Sequence, residues 1–199
     1  MSDIHCRIDP AVAGQLTAIL RGSDAACAIT DVLVDAAVEQ AVDPVLACST
    51  AASSAPPPVA ARLKALFAGH AILAAARDAE LARVLACLAA AGIDVLVFKG
   101  AHLAQTLYAA PGLRPRADSD LLVAEDDRAA VEPVLTRAGY ERLPHVRGSI
   151  ILGQCHFRRV DRAGITHAID VHWRIAAPLV LTHALPLTSV RASAVSVPA

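Results

Sequence analysis

Ala117-Asp-Ser-Asp-Leu-Leu-Val123 is the stretch on which the fold turns. An apolar run ending in Leu121, Leu122 and Val123 predicts a buried strand over 117–123. The period of two then puts Asp118 and Asp120 on one face and Ser119 and Leu121 on the other. Two carboxylates side by side on a strand are spaced to hold one or two divalent cations between them. Arg114 and Arg116 precede the pair. They are suited either to binding phosphate or to pairing with the aspartates in a surface network.

Upstream, Asp94-Val-Leu-Val-Phe98 predicts a short buried strand that ends at Lys99-Gly100, with a short helix over 101–108 after it. A strand-to-helix turn of this kind offers backbone N–H groups and a helix N-terminus to an anion, and Lys99 adds a formal charge. Downstream, a helix over 125–137 is predicted to close at Gly139 and to bend at Pro133. Strands over 153–160 and 165–173 flank Asp161-Arg-Ala-Gly164, which has the composition of a hairpin turn. Asp170 lies within the apolar run Ile169-Asp-Val-His-Trp173. An unpaired charge there would cost several kcal/mol, so a cation is expected to face it, and a shared metal would draw the two distant stretches together.

The first 92 residues read as helices. Val12, Leu16, Ile19 and Leu20 form one stripe, and Ile29, Val32, Leu33 and Ala36 form another. After a Ser/Pro-rich loop over 49–58, a long helix runs from Val59 to about Ala91, with Gly69 as a possible break and Gly92 as its C-cap. The final residues, 176–199, carry almost no charge and no clear period, which predicts an irregular tail. Of the 199 residues 55% are hydrophobic but only 3% aromatic, so the core must be built from Leu, Val, Ile and Ala. A net charge of -1 gives no general attraction to nucleic acid or anionic lipid. The five cysteines form no Cys-x-x-Cys pair, and the N-terminus has no apolar leader. Together these predict reduced thiols and a cytoplasmic protein. The longest uninterrupted apolar stretches fall short of a membrane span. No P-loop or Rossmann glycine pattern occurs.

The runs Val97-Phe-Lys-Gly-Ala-His-Leu-Ala-Gln-Thr-Leu-Tyr108, Leu113-Arg-Pro-Arg-Ala-Asp-Ser-Asp-Leu-Leu-Val123, Gly139-Tyr140 and Ile169-Asp-Val-His-Trp173 resemble, in this order, the uncharacterised nucleotidyltransferase family of the DNA polymerase β-like superfamily. The helical stretch with Ala41-Val-Asp-Pro-Val-Leu46 shares the likeness, which covers roughly residues 10 to 175. The resemblance implies an α+β fold in three parts: a helical region over 1–92, a nucleotidyltransferase core with a mixed β-sheet flanked by helices over 93–175, and the tail. It also implies two Mg2+ ions held by Asp118, Asp120 and Asp170, the last of which would help activate an acceptor hydroxyl. Lys99, Gly100, Arg114 and Arg116 would bind an NTP, expected to be ATP. The acceptor would be a small molecule or a protein; the net charge of -1 and the short apolar stretches argue against nucleic acid and membrane as partners.

Two other readings stand beside this one. A catalytically degenerate relative, acting as a binding or antitoxin-type module, is suggested by Ser119, where the superfamily usually has a large aliphatic residue, and by the short C-terminal part. A transition-metal hydrolase site from His156, His167, Asp170 and His172 would need His167 and His172, five residues apart on a strand, to share a face.

Overall fold

Residues 95 to 172 supply the strands of one mixed sheet in a computed structural model that describes residues 8–22, 28–144, 153–175 and 187–195. Among these residues the sheet has five strands: β1 (Val95–Phe98), β2 (Asp118–Val123), β3 (Glu141–Arg142), β4 (Gln154–Val160) and β5 (Thr166–His172), in the order β1-β2-β5-β4-β3. The β2–β5 pair is parallel and the other pairs are antiparallel. The predicted hairpin joins β4 to β5, with Gly164 at φ 81° and the Asp161 carboxylate accepting from the N–H groups of Ala163 and Ile165. The architecture is α+β with a mixed sheet and N-terminal helices.

The chain packs as two units. The first comprises Met1–Ala75 and Tyr108–Pro115. It contains α1 (Pro10–Leu20), α2 (Asp31–Glu39), α3 (Asp43–Ala47) and the first half of α4 (Pro57–Ala90), with a short 3-10 turn over Thr50–Ser54 in the predicted Ser/Pro loop. Its core is Leu16, Ile19, Ile29, Leu33, Val34, Leu46, Val59 and Leu63; of the stripes read from the sequence, Val32 instead faces outward, 60% exposed, and Val34, two residues on, is buried in its place. Asp9 and Thr30 cap α1 and α2 by accepting from backbone N–H groups. Asp43, 1% exposed, is held by His70 of α4 at 2.7 Å.

The second unit comprises Ala76–Leu107 and Arg116–Ala199. Val84 and Leu88 of α4 pack with Leu121, Val123, Ile169, Val171, Phe157, Tyr140 and the apolar face of α6 (Arg128–Arg137). The packing division therefore falls inside α4, after Ala75, and not at residue 92. The helix continues through it because Gly69 and its neighbours keep helical geometry without a break. Pro133 likewise sits inside α6. Residues 187–192 of the predicted tail form a helix, α7 (Leu187–Ala192), whose Arg191 pairs with Asp94, while 176–186 and 196–199 lie outside the described residues.

By length and composition α4 is apolar enough to cross a membrane. Alanine spread over its 34 residues gives an 18-residue window of mean hydropathy 1.4, of which 11% is buried, whereas no uninterrupted apolar run in the sequence reaches that length. Its charged residues nonetheless engage partners: Arg62 with Asp31 and Asp35, Asp78 with Arg116, and Glu80 with Arg83 and Arg159. These pairs carry its assignment as a helix of the fold.

Candidate metal and nucleotide site

The pleat sorts the sheet into two chemistries. Leu121 and Val123, Ile169 and Val171, and Cys155 and Phe157 face the helices and form the core. The alternate residues Asp118 and Asp120, Asp170 and His172, and His156 face the other way. The parallel register sets Asp120 directly beside Asp170, so strand pairing brings together acids fifty residues apart in the chain. On the other side Phe98 of β1 is the register partner of Asp120, and its ring meets His172 edge-on at 5.0 Å.

Asp120, Asp170 and His172 each offer one ligand atom, all within 4.8 Å of one another, and no other such group of His, Cys, Asp or Glu occurs among the described residues. Asp120 is 5% and His172 4% exposed, and Nε2 of His172 lies 2.9 Å from an oxygen of Asp120. Asp118 is outside this tight group but feels it. Burial raises its carboxyl above the ordinary range, and the charges of Asp120 and Asp170 raise it further. Burial, then the Lys99 ammonium, lowers His172, which favours a neutral imidazole. This set fits a divalent cation: carboxylate oxygens and a neutral imidazole converge, and one of their neighbours already supplies a positive charge at that point.

That neighbour is Lys99. It opens α5 (Lys99–Thr106) at φ 50°, a left-handed conformation costly for a residue with a Cβ. Its Nζ is 2.7 Å from Oδ1 of Asp120, 3.3 Å from Nε2 of His172 and 4.9 Å from the centre of the Phe98 ring. The residue before α5, Phe98, makes no side-chain cap. The first-turn N–H groups, with Gly100 among them, therefore remain available to an anion. An imidazole faces Asp170: Nδ1 of His156 lies 2.7 Å from its Oδ1, and Gln154 contacts the far ring nitrogen at 3.1 Å. His156 was legible only as one of several histidines, because β4 comes into register with β5 through a hairpin that leaves no polar signature at position 156.

The two arginines have partners within their own units. Arg116, its side chain 4% exposed, reaches Asp78 of α4 at 2.5 Å, so it belongs to no network with Asp118 and Asp120. Nε and Nη1 of Arg116, and Nε of Arg77, are buried without a partner among the described residues. Arg114 lies over the Tyr108 ring, its guanidinium carbon 5.9 Å from the centre. The hydrolase grouping does not assemble. His167 is on the opposite face and bonds Asp161 at 3.0 Å, while His156 and His172 take different aspartates. Trp173 packs beside the core, and Arg128 lies over its ring.

A feature the sequence did not reveal is the cluster around Glu80 of α4. Its carboxylate accepts from Arg83, from Arg159 of β4 and from the Tyr140 hydroxyl. Burial pushes this carboxyl up, but the three hydrogen bonds outweigh it and hold the group at about 2. Beside it, a cavity of about 10 Å³ is lined by Glu80, Arg77, Tyr140, His167, Ile169 and Ser119. Ser119, 5% exposed, lines this cavity from the core-facing side of β2.

A family model described as uncharacterised nucleotidyltransferase matches residues 28–198. The chain belongs to this nucleotidyltransferase family. No curated protein and no solved structure matches it. The match covers α2, α3 and α4 as well as the sheet, and begins after α1. It also makes a nucleotide the class of substrate for which the carboxylate face is to be read.

Proposed function

We propose that the protein is a metal-dependent nucleotidyltransferase that moves a nucleoside monophosphate from an NTP, ATP being the expected one, to a hydroxyl of a small molecule or protein. The observation that carries this reading is the register of Asp120 beside Asp170, with Asp118 and His172 on the same face. Asp118, Asp120 and Asp170 would hold Mg2+, with His172 at its edge. The metal would lower the charge of the phosphates and the barrier to in-line displacement. Gly100 and the uncapped start of α5 would receive the outer phosphates. The acceptor oxygen attacks the α-phosphorus, the bond from that phosphorus to the bridging oxygen breaks, and pyrophosphate leaves. Asp170, oriented by His156, takes the hydroxyl proton. Arg116, tied to Asp78, suits a support for the start of β2 better than a phosphate ligand. The cysteine spacing supports a cytoplasmic setting.

The test is thermal unfolding with each NTP, with and without Mg2+, on the wild type and on Asp118→Asn. Saturation a hundredfold above Kd should stabilise by about 2.7 kcal/mol, several degrees for a chain of this size. The shift should need Mg2+ and should vanish in the variant. The Lys99 ion pair, which satisfies Asp120 without a metal, favours one second reading, a non-catalytic module. That reading predicts no metal-dependent shift with any nucleotide.

A further inference from the structure

Lys99 stands where a divalent cation would stand. Its ammonium is within hydrogen-bond distance of both Asp120 and His172, two of the three residues whose ligand atoms converge. A cation bound by those atoms and an ammonium 2.7 Å from the same carboxylate oxygen cannot coexist without strong repulsion. The lysine is not locked in place. Its side chain is 48% exposed and the stem is flexible, whereas the side chain of Asp120 is 8% exposed and fixed in the sheet. It also begins the very helix whose first N–H groups lack a side-chain cap, so the ammonium and the anion-binding end of α5 share one anchor point.

We infer that Lys99 is an exchangeable internal cation: it neutralises Asp120 in the empty protein, is displaced when a divalent metal binds, and then contacts the polyphosphate of the incoming nucleotide. The inference rests on the metal and nucleotide reading above and adds an order of events to it. Metal loading releases the lysine, and the released lysine favours the nucleotide, so the two ligands bind with positive coupling. Lys99 keeps its charge throughout; only its partner changes.

The experiment is a Mn2+ titration followed by electron paramagnetic resonance, without nucleotide, on the wild type, Lys99→Met and Lys99→Gln. It is repeated as a calorimetric titration with an ATP analogue whose α–β bridge is a methylene group. Thermal unfolding verifies that each variant is folded. Both variants should bind Mn2+ about threefold to tenfold more tightly than the wild type, because no ammonium competes. In the presence of Mn2+ both should bind the analogue more weakly, and a merely structural lysine would not produce opposite signs. Equal or weaker Mn2+ binding by the variants overturns the inference alone. Tighter Mn2+ binding with unchanged analogue binding overturns the transfer to phosphate. Absence of Mn2+ binding in all three proteins overturns the metal reading, and the inference with it.

Discussion

At the scale of single residues, the site is a concentration of negative charge held in place by backbone register. Asp118 shows the cost. Burial and the charges of Asp120 and Asp170 raise its folded carboxyl above the unfolded value. The ionised form is then destabilised in the folded protein at neutral pH, and the penalty is relieved as pH falls through the folded value. Asp118→Asn should accordingly raise Tm by roughly 1–3 °C in metal-free buffer while abolishing metal-dependent nucleotide binding. Differential scanning calorimetry with and without Mg2+ measures both. A lower Tm in the metal-free variant would mean that Asp118 is structural. The Asp-x-Asp pair and its face were legible because strand period is a local property. The partners of Arg116 and Asp170 were not, because Asp78 and His156 reach them only through packing and register.

Among the elements, α4 is the most informative. Its apolar spacing predicts a helix over 59–91, and the structure has Pro57–Ala90. Gly69, a possible break in the sequence, lies within it with nothing in reach of an added Cβ. A glycine inside a helix costs about 1 kcal/mol relative to alanine, so Gly69→Ala should raise the unfolding free energy by about 0.5–1 kcal/mol. Urea denaturation with an unchanged m-value checks it. The sequence could not show that α4 serves two cores, since its apolar spacing is continuous through Ala75. The division appears only when Leu63 is seen packing with Leu33 and Leu88 with Leu121. The strand pair β4–β5 was readable from its turn, whereas β3, two residues long, carries too little pattern to be seen.

On the scale of the whole molecule, acid stability should be set largely by Glu80, which joins α4, β4 and Tyr140 in the second unit. Its folded value of about 2 lies below the ordinary carboxylate range. Its contribution is therefore complete above the unfolded value and is lost as pH falls from about 4.5 toward 2. Glu80→Gln should flatten the fall of Tm over that window and lower stability at pH 7 by up to about 3 kcal/mol, as read by pH-dependent thermal unfolding. A wild-type profile unchanged by the substitution would show that Arg83, Arg159 and Tyr140 are satisfied without the carboxylate.

The sequence by itself determined the α+β class, the helical first part, the strands that carry Asp118, Asp120 and Asp170, the Lys99-Gly100 turn and the family. Each of these follows from local period, turn chemistry or motif order, all properties of neighbouring residues. Tertiary structure alone decided that Asp120 lies beside Asp170, that His156 reaches Asp170, that Lys99 closes on Asp120, and that Arg116 turns to Asp78. Those outcomes depend on which strands pair, in what register, and on which buried charge finds the nearest opposite one. A linear pattern carries no measure of distance across a sheet.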